Sequence, residues 1–259
     1  MTLDAHIHVW KTDDGQPIWI RDQIGALGRT RSLDDFAADA GEAHAILVQA
    51  AETEAETLAL CRLGEATPVV EGVVGWVDLH APDVADRIDR IASSPMLRGV
   101  RLILAFGDGA ADVPASALRE LARRRLALDV LATPEQLHRV LRMQEVAPDL
   151  RIVVNHCGRP RVMCGLDPAW RTAMLELGRS TAAVCKLSGL IERAGIEWNA
   201  RSLAPFVAVV LEAFGPARLA FASNWPMLEL VGRHARWTAS LAQLLDDEGV
   251  DEAGREAIF

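Results

Sequence analysis

The sequence predicts an α/β fold in which eight parallel strands alternate with helices and close into a single (β/α)8 TIM barrel. Eight strand-like runs, each followed by a helical segment, occupy the 259 residues, close to the roughly 250 residues that such a barrel needs. The runs are continuously apolar, as in Ile152-Val153-Val154, which is typical of parallel strands covered on both faces. The alternative is an open doubly wound sheet, but no G-x-G-x-x-G motif follows the first run. We therefore expect one domain spanning residues 1–259.

The alternation of apolar runs and helical segments sets the expected elements. Strands are predicted at residues 3–9, 45–49, 69–79, 98–104, 127–131, 151–155, 183–187 and 218–222. Helices are predicted to begin at Ser32 and to cover residues 52–65, 82–92, 116–125, 134–146, 168–178, 203–214 and 233–248. Pro82, Pro134 and Pro168 support three of these starts, because proline is tolerated in the first turn of a helix.

Composition excludes several classes of partner. The net charge of -9, from 27 Lys and Arg against 36 Asp and Glu, would repel a phosphate backbone, so nucleic acid is not expected. No apolar run approaches the roughly 18 residues of a membrane span. We expect no signal peptide, because Met1 leads directly into a strand-like segment without the basic and then apolar order of such a peptide. The four cysteines form no C-x-x-C pair, which favours reduced thiols. We expect a cytoplasmic protein, alone or as a homo-oligomer, that acts on a small molecule.

The first strand carries a pair of histidines in the segment D-A-H-I-H-V-W. His6 and His8 are two residues apart, so in a strand they point to the same side and can converge on a metal ion or a substrate oxygen. The alternative is a pair of histidines on a solvated face. Because Ala5, Ile7 and Val9 make the opposite face apolar, we favour a site.

Polar residues also occur where four later strands end, and a barrel of this type builds its site there. His156 closes the sixth strand, and Asn224 follows the eighth. Lys186, inside the seventh strand, needs a substrate oxygen or an internal partner such as Asp129 to offset desolvation. Arg101, in the fourth strand, could grip a carboxylate with two hydrogen bonds or belong to a buried structural pair.

The connection between residues 10 and 32 is far longer than the usual βα loop of about 2 to 6 residues. Trp10 and Trp19 give it apolar surface that could lie against a bound ring. We expect this connection to be a lid over the pocket. The alternative is a surface excursion without a role in binding.

Five motifs, in order, resemble those of the amidohydrolase-related family, in particular its lactonase branch: D-A-H-x-H-x-W, G-V-R, N-H-x-G-R-P, C-K-L-S-G-L and F-x-S-N-W-P. That branch contains sugar-lactone hydrolases, pyrone dicarboxylate lactonase and lactone isomerases. The resemblance implies a (β/α)8 barrel with a polar pocket. On this basis we assign catalytic roles to His6, His8, His156, Lys186 and Asn224, and substrate contacts to Arg101, Trp10, Ser188 and Trp225.

Two departures from the family pattern bear on cofactor and mechanism. Members that bind metal strongly add a histidine from strand five or a carboxylated lysine from strand four, where this chain has Asp129 and Arg101. We therefore expect that no cofactor is required, and treat one zinc ion on the three histidines as the less favoured outcome. The family's strand-eight residue is commonly aspartate, whereas the amide of Asn224 cannot act as a base.

These observations predict a hydrolase that opens a small sugar or dicarboxylic-acid lactone. Lys186 or a histidine would stabilise the oxyanion, Arg101 would orient an anionic group, and His156 or His8 would handle the proton. Asn224 would hold the water, so its replacement by aspartate is expected to raise hydrolysis. The alternatives are a lactone isomerase, whose nucleophile is a substrate hydroxyl, and a ligand-binding barrel without catalysis.

Overall fold

Eight parallel strands form one sheet in chain order, in a computed structural model that describes residues 2–12, 27–106 and 112–259. The strands are β1 Leu3–Ile7, β2 His44–Val48, β3 Val70–Gly75, β4 Leu97–Ile103, β5 Ala127–Leu131, β6 Ile152–Val154, β7 Val184–Leu187 and β8 Leu219–Phe221. The sheet closes where Ile7 bridges Trp225, with the backbone N–H of His8 donating to the Trp225 carbonyl at 2.8 Å. The predicted (β/α)8 barrel is confirmed.

Helices follow the strands around the outside of the sheet. They are α1 Leu33–Ala40, α2 Glu54–Ala66, α3 Val84–Ile91, α4 Ala115–Arg123, α5 Leu137–Val146, α6 Pro168–Ser180, α7 Leu190–Ala194, α8 Ala200–Phe214, α9 His234–Asp247 and α10 Glu252–Ile258. Side-chain capping fixes where several helices begin. Ser32 and Asp35 form a capping box at α1, and Asn199 and Ser202 form one at α8. Pro168 occupies the first turn of α6, as predicted.

The apolar core fills the space between the strands and the helices. Leu47, Val73, Val100 and Leu128 are fully buried on the strands, in keeping with their continuous apolar runs. Gly178 lets α6 approach α8, since a Cβ there would lie 1.9 Å from the Ala213 carbonyl oxygen. The core therefore holds the strand ends in fixed positions for the site.

The main differences from the predicted elements lie at strand ends. The third strand ends at Gly75 rather than at residue 79. The sixth ends at Val154, because His156 and Cys157 adopt φ values of 52° that no strand accommodates. Two short helices, α7 and α10, were not predicted. Strand ends are where apolar patterning gives way to side-chain and turn chemistry.

The predicted lid lies largely outside the described residues, since residues 13–26, which include Trp19, are not among them. At its base, Trp10 forms an antiparallel bridge with Arg31. In the part of the chain that the structure describes, no helix combines the length and apolar content needed to cross a bilayer.

Candidate active site

The paired histidines of the first strand lie inside the barrel. His6 is 0% exposed and His8 1%. Their Nε2 atoms are 3.2 Å apart. The other nitrogen of His8, Nδ1, lies 2.8 Å from the carbonyl oxygen of Val48 at the end of β2. The strand alternation therefore brings the two rings together and fixes one of them to the neighbouring strand.

His156 joins them from the turn Asn155–Gly158 that follows β6. Its ring centroid lies 4.7 Å from that of His6, and its Nδ1 lies 2.7 Å from the hydroxyl of Ser188. A side chain at Gly189 would collide with this ring, because a Cβ there would be 2.5 Å from the His156 Cβ. The glycine after Ser188 thus allows β7 to pack against the histidine.

Lys186 projects from β7 into the same cluster. Its Nζ donates to Asp129 Oδ2 at 2.5 Å and lies 3.3 Å from His6 Nδ1. Burial lowers the pKa of Lys186, and the Asp129 carboxylate opposes that effect. The sequence left two partners open for Lys186, a substrate oxygen or an internal group such as Asp129. The structure has the ion pair with Asp129, and the same ammonium group also contacts His6.

The position of Lys186 determines which ring nitrogens of His6 and His8 carry protons. An ammonium group only donates, so His6 Nδ1 accepts and the His6 proton sits on Nε2. That N–H then donates to His8 Nε2, and His8 donates from Nδ1 to the Val48 carbonyl. This relay leaves the Nε2 atoms of His6 and His8 bonded to each other.

All three histidines are neutral at pH 7. Burial, followed by the charge of Lys186, lowers the pKa of His6 well below its ordinary value. Burial and then the charge of Arg101 lower the pKa of His8 to about 3. The pKa of His156 is also well below its ordinary value, through burial first and then the charges of Arg101 and Lys186. Neutral imidazoles can accept protons, but with pKa values lowered this far they are weak bases, suited instead to binding substrate oxygens.

Arg101 lies on β4 with little of its hydrogen-bonding capacity used. It is 6% exposed, its Nη1 donates to the Gln49 carbonyl at a long 3.4 Å, and its Nε is buried without a partner in the described chain. Other buried atoms share this condition within the described ranges, among them Gln49 Nε2, Asp129 Oδ1 and both amide atoms of Asn155. Buried polar groups are normally hydrogen-bonded, so these atoms are suited to a ligand.

Asn224 follows β8 at φ 60°, and its backbone N–H donates to the His6 carbonyl at 3.0 Å. Its side-chain Nδ2 donates to Glu192 Oε1 at 2.7 Å. Burial raises the pKa of Glu192 to about 7, against the hydrogen bond from Asn224. Sequence reasoning missed Glu192. Its signal was a carboxylate four residues after Ser188, just beyond the C-K-L-S-G-L motif.

Arg159 was likewise not selected from sequence, although it stands in the N-H-x-G-R-P motif. Its guanidinium carbon lies 4.8 Å from the ring centroid of Phe106, and its Nη1 is buried without a hydrogen-bond partner in the described chain. Burial, then the charges of Arg193 and Arg101, lower the pKa of Arg159 to about 10. Arg159 follows His156 by three residues, and its charge contributes to lowering the pKa of that histidine.

The two tryptophans assigned to substrate pack into the protein. Trp225 is 0% exposed and donates from its indole nitrogen to Glu229 at 3.1 Å. Trp10 is 4% exposed and donates to the Arg29 carbonyl at 2.9 Å. The structure brings the histidines, Lys186, Arg101, Ser188 and Asn224 together and places the tryptophans behind them, so substrate contact by either indole stays a prediction.

The nitrogen atoms of the three histidines are the candidate ligands for a zinc ion. The 3.2 Å between the two Nε2 atoms is close to the spacing of two ligands on one tetrahedral zinc, about 3.3 Å for bonds of about 2.05 Å. However, the relay from Lys186 places a proton on His6 Nε2, and within the described residues no three His, Cys, Asp or Glu side chains are arranged to hold a metal ion. As arranged, these residues do not fit zinc.

Comparisons with known proteins show similarity to amidohydrolases and lactonases over nearly the whole chain. A family model described as Amidohydrolase matches residues 3–259. An L-fucono-1,5-lactonase from Burkholderia ambifaria is 33% identical over 93% of this chain and 85% of that protein. Another L-fucono-1,5-lactonase, from Burkholderia multivorans, is 30% identical over 100% of this chain and 93% of that protein. A crystal structure of a Burkholderia multivorans amidohydrolase with bound zinc, 29% identical, superposes with a TM-score of 0.87 over 100% of this chain and 95% of that one.

Proposed function

The chain belongs to the amidohydrolase family, and we propose that it is a hydrolase that opens a small lactone of a sugar acid or a dicarboxylic acid. The family resemblance predicted from the five motifs is confirmed. Relatives named as lactonases, similar over most of their length, support the reaction type. The observation that carries the proposal is the cluster of three neutral imidazoles beside Lys186 at the mouth of the barrel.

The cluster suits ester opening because it offers hydrogen-bond donors where charge develops. A lactone is a strained ester, so polarising its carbonyl needs less assistance than an amide would. In the proposed complex the carbonyl oxygen of the lactone lies between His156 Nε2 and the Lys186 ammonium. These two groups stabilise the oxyanion that forms on it. Ser188 holds the His156 ring in place through its 2.7 Å hydrogen bond. Asn224 orients the attacking water.

The substrate is proposed to be anionic or rich in hydroxyl groups. Arg101 and Arg159 each have a buried nitrogen with no partner in the described chain, and a guanidinium recognises a carboxylate through two parallel hydrogen bonds. Because the whole protein carries a charge of -9, these local cations must supply the attraction for an anion. Trp10 and Trp225 would support the pocket wall.

The proposal also covers the metal requirement of the enzyme and its location in the cell. We propose that lactone opening requires no resident metal, supported by the proton relay that occupies the Nε2 atoms of His6 and His8. The zinc-bound neighbour keeps zinc as the competing hypothesis for the three histidines. We further propose that the chain is one domain, alone or as a homo-oligomer, in the cytoplasm, a location that the four free cysteines support.

The test is incubation with a panel of aldonic and aldaric lactones, with and without carboxylate groups. Acid release with a fall in pH is the expected result, and lactones with a carboxylate are expected to react fastest. A change of ring size without acid release would instead identify a lactone isomerase, which Asn224 in place of an aspartate would favour. Saturable binding without any product would identify a ligand-binding barrel.

A further inference from the structure

We propose that Glu192 is the general base of this enzyme, accepting the proton of the water that Asn224 orients. The inference rests on the lactone hydrolysis proposed above and adds a catalytic residue to it. Glu192 lies in the first turn of α7, which begins directly after the Ser188-Gly189 corner of β7. No motif singled out from the sequence includes it.

Contacts place the Glu192 carboxyl group at the mouth of the barrel. Its Oε1 accepts from Asn224 Nδ2 at 2.7 Å, and its Oε2 is buried with no partner among the described residues. Asn224 in turn is tied to β1 through the carbonyl of His6. On the other side, the corner that precedes α7 contacts His156 at Gly189. The carboxyl group therefore belongs to the same end of the barrel as the histidines.

Several other groups around the histidines are poorly suited to act as the base. Asn224 carries an amide, which accepts no proton at working pH. His6, His8 and His156 all have pKa values lowered by burial and neighbouring cations. Asp129 is held in an ion pair with Lys186. Glu192, whose pKa burial raises to about 7, is matched to proton transfer near neutral pH.

Among the described residues packed against α7, few charged groups lie near the carboxyl group of Glu192. Arg193, its neighbour on α7, favours the ionised form. The turn Met227–Leu230 packs against α7, and its Glu229 is already bound to Arg31 and Trp225. The segment Val162–Cys164 also packs against α7, and its titratable residue, Cys164, is exposed. The packed helix α8 carries Arg201, which is exposed, and Glu212, which pairs with Arg171.

The proposed steps balance. The water oxygen bonds to the lactone carbonyl carbon while one water proton passes to the Glu192 carboxylate, and the carbonyl electron pair moves to the oxyanion. When the carbonyl re-forms, the bond from that carbon to the ring oxygen breaks and the ring oxygen takes the proton from Glu192. The product is the open hydroxy acid, and Glu192 returns to its ionised form.

The first experiment compares Glu192→Gln with Glu197→Gln, an exposed glutamate in the segment that follows α7. The carboxamide introduced at position 192 can still accept the hydrogen bond from Asn224, so the fold contact is kept while the base is lost. We expect kcat to fall about 10²-fold or more, and the limb of the pH–rate profile that rises through about pH 7 to disappear. Glu197→Gln should behave like the parent.

The second experiment exchanges the two groups across the same hydrogen bond, in the double variant Glu192→Gln with Asn224→Asp. Restoring a carboxylate at this position is expected to recover at least about tenfold of the lost kcat. The proposal is overturned if kcat of Glu192→Gln stays within about twofold of the parent, or if the folded double variant is no more active than Glu192→Gln. A parent enzyme that opens no lactone would instead defeat the proposed function.

Discussion

Two arginines at opposite ends of the barrel use their guanidinium groups in different ways. Arg218 stands just before β8, at the amino-terminal end of the strands, and Arg101 lies on β4 near the carboxyl-terminal end. The guanidinium of Arg218 donates to five backbone carbonyls, those of Gly178, Thr181, Ala183, Ala213 and Phe214. Arg101 donates to one carbonyl at 3.4 Å and keeps a buried Nε without a partner in the described chain.

The difference separates structural from functional polar groups. A buried donor without a partner costs free energy, and a ligand that supplies the partner removes that cost. The buried Asp4 resembles Arg218 in this respect, because its carboxylate bonds to His6 N, Ser223 N and His234 Nε2. For these two arginines, hydrogen-bond satisfaction distinguishes the structural group from the one we assign to the substrate.

The largest expected effect comes from Arg101→Met. Loss of the guanidinium should lower kcat/KM for a carboxylated lactone by about 10³-fold, because a charge-assisted bidentate contact is removed in a buried site. Stability should be unchanged or slightly higher, since a poorly partnered buried charge is replaced by an apolar chain. Steady-state kinetics and thermal unfolding measure the two effects.

Arg98→Met is the matched control for this variant, because Arg98 lies exposed on the same strand. It should leave kcat/KM within about twofold of the parent. Arg101→Met with unchanged kinetics and a large loss of stability would place Arg101 among the structural arginines and erase the contrast with Arg218.

Arg218→Met should show the opposite pattern. Removing a donor to five carbonyls should lower the free energy of unfolding by about 3 kcal/mol, equivalent to a fall in Tm of about 6–12 °C for a domain of this size. kcat per folded molecule should be retained, because Arg218 lies away from the histidines. Calorimetry gives the first quantity and active-site-normalised kinetics the second; a large fall in kcat at unchanged Tm would contradict the assignment.

Asn224→Asp tests whether a second carboxylate helps or hinders. Sequence reasoning predicts faster hydrolysis, but the structure places position 224 at 2.7 Å from Glu192, where two carboxyl groups share a proton and the pKa of the pair rises. Because the base must be ionised, the rising limb of the pH–rate profile should move above pH 7. We expect a loss of about tenfold at pH 7 with recovery at higher pH. A profile superimposable on the parent's would refute this coupling.

Ser188→Ala removes the hydrogen bond between the Ser188 hydroxyl and His156 Nδ1. His156 should lose its fixed orientation, lowering kcat by about five- to tenfold with KM little changed, as expected for one hydrogen bond of about 1 kcal/mol. Ser188→Thr, which keeps the hydroxyl, is the comparison variant. An equal loss in both would point to packing rather than to the 2.7 Å hydrogen bond.

Metal removal should have the smallest effect. If Lys186 keeps the proton on His6 Nε2, purified protein should contain well below one equivalent of zinc, and chelation should change kcat by less than about twofold. Elemental analysis and assays before and after dialysis against a chelator measure this. One equivalent of zinc with activity lost on chelation would instead assign the three histidines to a metal.

Much of this architecture follows from local pattern. Eight apolar runs alternating with helices predicted the barrel, and the two-residue spacing of His6 and His8 predicted that their rings face the same way, as the 3.2 Å contact confirms. Lys186 also stood out, because a lysine inside an apolar strand requires a partner. Each of these inferences depends only on residues near one another in sequence.

The pairings that decide the chemistry depend on tertiary structure. Asp129 and Lys186 are 57 residues apart, and Glu192 and Asn224 are 32 apart, so no local pattern specifies that they meet. The neutral state of the histidines likewise results from burial and from cations on other strands. Sequence alone determined which strand ends carry polar side chains, because alternation is a property of the strand. Which of these groups are partnered was decided by barrel closure, because the strands that supply them come together only in the folded protein.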